Sequence, residues 1–347
     1  MSDRRDLTPA EAKRRYLDHR RTEASESSIE SWEYRLKLFV EWADEQPDVE
    51  TMRDLDGWRL DEYENYRRGT GVSASTLNSE MQTLKNWLEY LSRIEVVGDD
   101  LPEKVHVPEI PDGEESNDEM LDPSVATSLI SMYRDDPQRR GTSKHVLLEL
   151  LWFTGARLGS IRALDLGDYH SDEQYVEFRH RPETDTPLKN DSDGERAVGL
   201  PRSVCDVVDE YLAHHRTDAY EHGRQPLLSS TQGRPKQNTV RVWCYIATQP
   251  CLYRDCPHGY ERDSCQYVHV HHASKCPSSV SPHRVRTGSI TWQRDCGLPA
   301  EIVAKRVNAT LEVIESYYDK ATERERLERR RRPYIEHLDL EPDDPDE

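Results

Sequence analysis

Ser281-Pro282-His283-Arg284-Val285-Arg286-Thr287 is the stretch that best indicates the fold and chemistry of this 347-residue chain. An amphipathic run follows it and ends in Glu315-Ser316-Tyr317-Tyr318-Asp319. A second arginine lies far upstream in Thr154-Gly155-Ala156-Arg157-Leu158, where one apolar helix is expected to end and another to begin. Two guanidinium groups suit a phosphodiester, because each stays charged and holds phosphate oxygens through parallel N–H bonds. A neighbouring tyrosine hydroxyl is a suitable covalent nucleophile for the phosphorus.

Composition limits the class of protein. A length of 347 residues favours two domains. No run reaches the roughly eighteen apolar residues of a membrane span, and residues 1–10 are too polar for a signal peptide, so we expect a cytoplasmic protein without a membrane partner. The net charge of −20 taken alone argues against a nucleic-acid partner. Such a global acidic excess is also typical of salt-adapted, halophilic proteins.

The hydrophobic pattern predicts helices throughout the first hundred residues. Apolar side chains recur on one helical face over 29–40 and again over 77–91. Weaker helical patterns cover 9–19 and 60–68. We therefore predict a helical bundle over residues 1–100.

A change of composition marks the start of a second domain. Residues 101–120 are rich in Pro, Glu, Asp and Gly and lack periodicity, which predicts an interdomain linker. Residues 121–335 are then predicted to form the second domain, with a Cys/His-rich insertion at about 244–276. An acidic tail, 336–347, follows it.

Two strands interrupt the helices of the second domain. Residues 174–179 and 196–200 alternate apolar and polar side chains, and a polar segment separates them. This pattern predicts a β-hairpin with Lys189 near its tip. The expected fold class is therefore α+β, mainly α with a small β-hairpin or sheet.

Taken in order, these motifs resemble the tyrosine recombinases, the family of phage-type integrases and Xer-like recombinases, and most of all the integrase-like proteins of salt-adapted archaea. The resemblance covers nearly the whole chain and rests on the Arg157 motif, the hairpin with Lys189, His283-x-x-Arg286, and Tyr318 before Asp319. It implies a helical core-binding domain and a catalytic domain that clamp double-stranded DNA. The implied function is a site-specific recombinase that works through a 3′-phosphotyrosyl intermediate, as a homo-oligomer (a tetramer) on paired sites.

The resemblance also implies a role for four residues near the scissile phosphate. Arg157 and Arg286 would hold the phosphate. Lys189 would protonate the leaving 5′-hydroxyl, and His283 would assist proton transfer at the nucleophile. No cofactor is expected for this chemistry.

Two features leave alternatives open. Tyr318 is the preferred nucleophile and Tyr317 the alternative. Asn308 stands at the position where the family usually has His or Trp, so a non-catalytic DNA-binding protein on a recombinase scaffold is an alternative function. A nicking enzyme similar to type IB topoisomerases is another.

The cysteines form a second group. Their density in a cytosolic chain favours Zn²⁺ over disulfides, because that compartment is reducing and zinc takes four thiolate or imidazole ligands. A structural zinc site is therefore predicted, with His269 or His271 as an alternative fourth ligand. The preferred ligands are Cys251, Cys256, Cys265 and Cys276.

Overall fold

The computed structural model describes residues 6–111, 119–315 and 322–335. The chain forms two compact units, Met1–Asn117 and Asp118–Glu347, and each has a hydrophobic core of its own. Within the described ranges, no helix has the length and apolar character that crossing a lipid bilayer requires. The two candidate nucleophiles, Tyr317 and Tyr318, and the predicted acidic tail lie outside the described residues.

The first unit is helical, as the hydrophobic pattern predicts. Each of its helices begins after a Thr, Ser or Asp whose side chain accepts a hydrogen bond from an amide of the first turn, the usual N-cap. Phe39 packs edge to face against Tyr63 and Trp87 in the centre of the bundle. The helices of residues 6–111 are α1 (Pro9–Arg20), α2 (Glu26–Asp44), α3 (Gly57–Gly69) and α4 (Ala74–Arg93).

The first unit extends into the stretch that composition marks as a linker. Leu101 and Val105 are buried in its core, on either side of a short 3₁₀ turn, Pro102–Lys104. The side-chain amide of Asn78 also donates a hydrogen bond to the carbonyl of Pro108 at 2.8 Å. The beginning of that stretch therefore belongs to the packed bundle, although its apolar residues have no helical period.

The second unit is built around one buried helix, α6, which packs against α5, α8, α9 and α10. Its helices are α5 (Pro123–Asp135), α6 (Ser143–Thr154), α7 (Leu158–Ala163), α8 (Arg202–His214), α9 (Gln237–Ala247), α10 (Pro282–Asp295), α11 (Ala300–Val307), α12 (Leu311–Val313), α13 (Glu323–Arg326) and α14 (Arg332–Ile335). A wider π-helical stretch, Leu327–Arg331, joins the last two.

A small antiparallel sheet completes the second unit. Its strands β1 (Tyr169–His170), β2 (Tyr175–Phe178) and β3 (Arg196–Gly199) lie in the order β1-β2-β3. Phe178 pairs with Arg196, so β2 and β3 form the predicted hairpin. The predicted fold class, mainly α with a small sheet, is confirmed.

Buried ion pairs fix the base of the hairpin. Arg181 donates two hydrogen bonds to the carboxylate of Asp168, at 2.8 and 2.6 Å. Arg234 donates one hydrogen bond to the neighbouring Asp165, at 2.5 Å. Because a buried carboxylate with a bidentate arginine has a strict geometry, the Arg181–Asp168 pair helps to set where the hairpin leaves the helical core.

Candidate active site

The end of α6 places Arg157. Gly155 ends this helix in the left-handed conformation, at φ +61°, where a side chain would be strained. A Cβ on Gly155 would also stand 2.7 Å from a methyl carbon of Val307. Arg157 then takes the N-cap position of α7 in extended backbone. The sharp turn directs its side chain toward the end of α11, where Nη1 donates to the carbonyl of Asn308 at 2.7 Å.

Arg286 comes from the second turn of α10 and meets the same region. The helix begins at the Ser281 N-cap, and Arg286 is only 1 % exposed. Its Nη1 donates to the carbonyls of Gly155 and Val307, at 2.6 and 2.7 Å. The guanidinium therefore joins the turn that precedes Arg157 to the end of α11.

The turn with Lys189 is fastened to the same helix end by Asn308. The carboxamide of Asn308 donates to the carbonyl of Lys189 at 2.9 Å and accepts from Asn190 Nδ2 at 3.2 Å. Asn308 has a φ of +54°, a left-handed conformation that Asn tolerates better than most residues. The Lys189 side chain is exposed, and no ion pair holds it in the described part of the chain. Asn308 thus positions the lysine turn.

A third arginine, Arg196, lies beside the first two. It begins β3, and its Nε donates to the carbonyl of Arg306 at 2.6 Å. Burial, together with the positive charges of Arg286 and Arg157, lowers the pKa of Arg196 to about 9. Sequence reasoning did not assign it a role. The available signal was its place at the start of a strand opposite Phe178, close to Lys189 in the hairpin.

Successive carbonyls at the C-terminal end of α11 accept these arginines. Such carbonyls lack partners inside their own helix and carry the negative end of its dipole, so they attract cations. Three elements distant in the chain therefore deliver guanidinium groups to one place. The donors and acceptors are Arg196 Nε to Arg306 O (2.6 Å), Arg286 Nη1 to Val307 O (2.7 Å) and Arg157 Nη1 to Asn308 O (2.7 Å).

His283 lies one turn before Arg286, at the start of α10. Its side chain reaches the surface, but partial burial lowers its pKa, and the positive charges of Arg286 and Arg157 act in the same direction. The imidazole is therefore mainly neutral near pH 7 and able to accept a proton.

The segment before the candidate nucleophiles is anchored next to this site. Ile314 is fully buried against Val303, Val307 and Ile290. Tyr317 and Tyr318 follow it in the sequence but lie outside the described residues. Their assignment stays a prediction.

The zinc prediction is not supported. In the described ranges, no three or more His, Cys, Asp or Glu side chains come together as a metal site. The Cys/His-rich insertion between α9 and α10 instead forms a series of short 3₁₀ turns. One of the predicted ligands, Cys251, accepts a hydrogen bond from Arg262 Nη1 at 2.8 Å. The alternative ligands His269 and His271 likewise belong to no such group among the described residues. The predicted ligands Cys251, Cys256, Cys265 and Cys276 are all free cysteines.

The first unit is similar to the corresponding part of phage integrases. Residues 14–94 match the family model described as the phage integrase N-terminal SAM-like domain. A solved N-terminal domain of a phage integrase/site-specific recombinase from Haloarcula marismortui is 66% identical, with 98% of that chain and 30% of this one covered and a TM-score of 0.29. No curated protein matches the sequence.

Solved integrase structures also match over most of the chain, among them the following two. The Tn1549 transposon integrase, solved in complex with a circular intermediate DNA, is 13% identical at a TM-score of 0.67, covering 96% of this chain and 100% of that one. A lambda integrase dimer bound to a COC′ core site is 12% identical at a TM-score of 0.62, covering 90% and 95%. At these identities the likeness establishes a shared fold.

Proposed function

This chain belongs to the phage-integrase family of tyrosine recombinases, and we propose that it is a site-specific DNA recombinase. The observation that carries the proposal is the meeting of Arg157, Arg196 and Arg286 at the end of α11. Fixed guanidinium groups next to an exposed lysine suit a phosphodiester substrate. The DNA present in two solved proteins of the same fold supports duplex DNA as that substrate.

The proposed reaction is a reversible transfer of the phosphoryl group. Arg157 and Arg286 hold the non-bridging oxygens while Tyr318 Oη attacks the phosphorus. The new P–O bond to tyrosine forms as the bond to the 5′-oxygen breaks. Lys189 gives its proton to the leaving 5′-oxygen, and neutral His283 takes up the tyrosine proton. The phosphotyrosyl ester retains the energy of the broken bond, so a second 5′-hydroxyl rejoins the strand without a cofactor.

The remaining assignments follow from the same proposal. Residues 1–100 act as the core-binding domain, 121–335 form the catalytic domain, and a homo-tetramer forms on paired sites. The protein works on DNA in the cytoplasm. The net charge of −20 and the 66% identical domain from Haloarcula support activity in concentrated salt.

A nicked suicide duplex tests the chemistry. Such a duplex loses its 5′-hydroxyl fragment after cleavage and traps the covalent intermediate for a denaturing gel and peptide mapping. Wild type is expected to give an adduct at Tyr318, Y318F none, and the matched control Y317F an unchanged amount. An adduct that maps to Tyr317 would reassign the nucleophile.

Two other results would refute the recombinase assignment. Specific DNA binding without an adduct, from low to molar salt, would identify a non-catalytic DNA-binding protein. Relaxation of supercoiled DNA by a monomer, with no requirement for paired sites, would identify a topoisomerase-like enzyme.

A further inference from the structure

The Arg196 guanidinium is held on three sides. Its Nε and Nη1 donate to the carbonyls of Arg306 and Gly194, at 2.6 and 2.8 Å. Its central carbon lies 4.3 Å from the centre of the Phe178 ring, a cation–π contact. An arginine fixed in this way keeps its charge in one place.

The remaining amino group, Nη2, is buried and has no hydrogen-bond partner among the described residues. Arg196 also forms no ion pair with a carboxylate in this part of the chain, and neither does Arg157. Two arginines at the base of the hairpin each bind an aspartate instead: Arg181, which is partly buried, and Arg234, which is buried. The distinction matters because an uncompensated buried charge is costly, and an anion placed nearby lowers that cost.

Arg196 also connects the parts of the site. Its acceptor Arg306 O directly precedes the carbonyl that accepts Arg286. Its other acceptor belongs to Gly194, where an added Cβ would stand 2.6 Å from the carbonyl of Lys189 and 2.9 Å from Asn308 Nδ2. One guanidinium therefore joins the end of α11 to the turn that carries Lys189.

We propose that Arg196 is a positioning residue of the phosphate site: it adds a fixed positive charge behind Arg157 and Arg286 and holds the Lys189 turn against α11. The inference rests on the proposed function. A phosphodiester carries one negative charge, and its pentacoordinate transition state carries a second. A fixed cation that does not touch the substrate therefore stabilises the transition state more than the bound substrate.

Arg196 variants test this role through the rate of cleavage and the affinity for an anion. The variants are R196Q, which removes the charge, and R196K, which keeps it. The matched control is R202Q, because Arg202 lies six positions further along, is exposed and pairs with Asp206 at 2.9 Å. Each protein is first checked for folding by thermal unfolding. Single-turnover adduct formation, DNA affinity and affinity of the DNA-free protein for inorganic phosphate at constant ionic strength are then measured.

R196Q is expected to slow adduct formation roughly ten- to a hundred-fold. We expect its DNA affinity to change less than about threefold, since many backbone contacts share that affinity. R196K should cleave faster than R196Q but more slowly than wild type. The control R202Q should cleave at the wild-type rate. R196Q should also bind inorganic phosphate about tenfold more weakly than wild type. Equal cleavage rates and equal phosphate affinities in R196Q and R202Q would overturn the inference.

The two proposals fail in different ways. If wild type forms no adduct, the recombinase function fails, and Arg196 is judged by phosphate affinity alone. If neither Arg196 variant folds, the wild type supplies the test through its guanidinium ¹⁵N resonances. The Arg196 resonances should shift as inorganic phosphate binds, because the unpartnered Nη2 lies in the proposed phosphate site. Unchanged Arg196 resonances at saturating phosphate would refute the role.

Discussion

Asn308 offers a direct test of how the lysine turn is held. Replacing it by alanine removes the hydrogen bonds to Lys189 and Asn190. It also places an alanine at φ +54°, where its Cβ is strained and where it lacks the local hydrogen bonding by which asparagine tolerates this backbone conformation. Replacing it by glycine removes the same hydrogen bonds but accepts the left-handed backbone freely. The pair of variants therefore separates the side-chain contacts from the backbone strain.

The loss of the hydrogen bonds and the backbone strain each have an expected free-energy cost. Two hydrogen bonds at a partly exposed site contribute roughly 0.5 to 1 kcal/mol each to the free energy of unfolding. A left-handed alanine costs about 1 kcal/mol more than a left-handed glycine. We expect N308A to lower the unfolding free energy by about 2 to 3 kcal/mol and N308G by about 1 to 2 kcal/mol.

Urea unfolding in molar KCl measures these differences, and adduct formation on a suicide duplex measures their consequence. Both variants should cleave more slowly, because the Lys189 turn loses its link to α11. A variant N308A as stable as wild type, or an N308G less stable than N308A, would refute this account of the turn.

The remaining predictions concern the helix end, the histidine and the cysteines. G155A should lower the free energy of unfolding by about 3 kcal/mol or more and abolish cleavage, because its Cβ would collide with Val307. A wild-type free energy of unfolding in urea would contradict the close contact between Gly155 and Val307. The pKa of His283 is lowered by burial and by Arg286, so His283 should lose its proton at a pH below its usual pKa. The rate of single-turnover cleavage should therefore rise with pH in the acidic range and be constant near pH 7. A rate that still rises between pH 7 and 8 in wild type but not in H283A would contradict this role of His283. EDTA should leave the unfolding temperature unchanged, because no three candidate ligands come together among the described residues. A fall of several degrees would restore the predicted zinc site.

The helices and the hairpin could be predicted because their signals are local. An apolar face repeats within 29–40 and 77–91, and strand alternation needs only a few residues. The stretch 101–111 could not be assigned to the first unit, because Leu101 and Val105 bury against distant helices without a period of their own. The cysteines of the insertion are likewise visible in the sequence, but their spacing does not predict how the 3₁₀ turns arrange their side chains in space.

Some residues of the candidate site could be predicted from local motifs, and others could not. Arg157 and Arg286 were predicted from motifs, and the structure brings both to the end of α11. Arg196 escaped prediction because its contact with Arg306 spans 110 residues of sequence. The part of Asn308 in holding Lys189 depends on a contact across 119 residues. Roles of this kind arise from tertiary packing, and a single sequence carries no local signal for them.

The arginines at the end of α11 are surrounded by a chain whose net charge is −20. Approach of DNA is therefore opposed at long range and favoured at short range. Dissolved ions weaken the long-range repulsion first, because it acts over distances beyond the Debye length of about 10 Å at 0.1 M salt. Direct contacts between the arginines and phosphate weaken with salt as well, but at low salt they are stronger than the long-range repulsion. Complex formation with DNA should therefore pass through an optimum in ionic strength, so the charge distribution of this protein would make its DNA binding depend on the salinity of its surroundings.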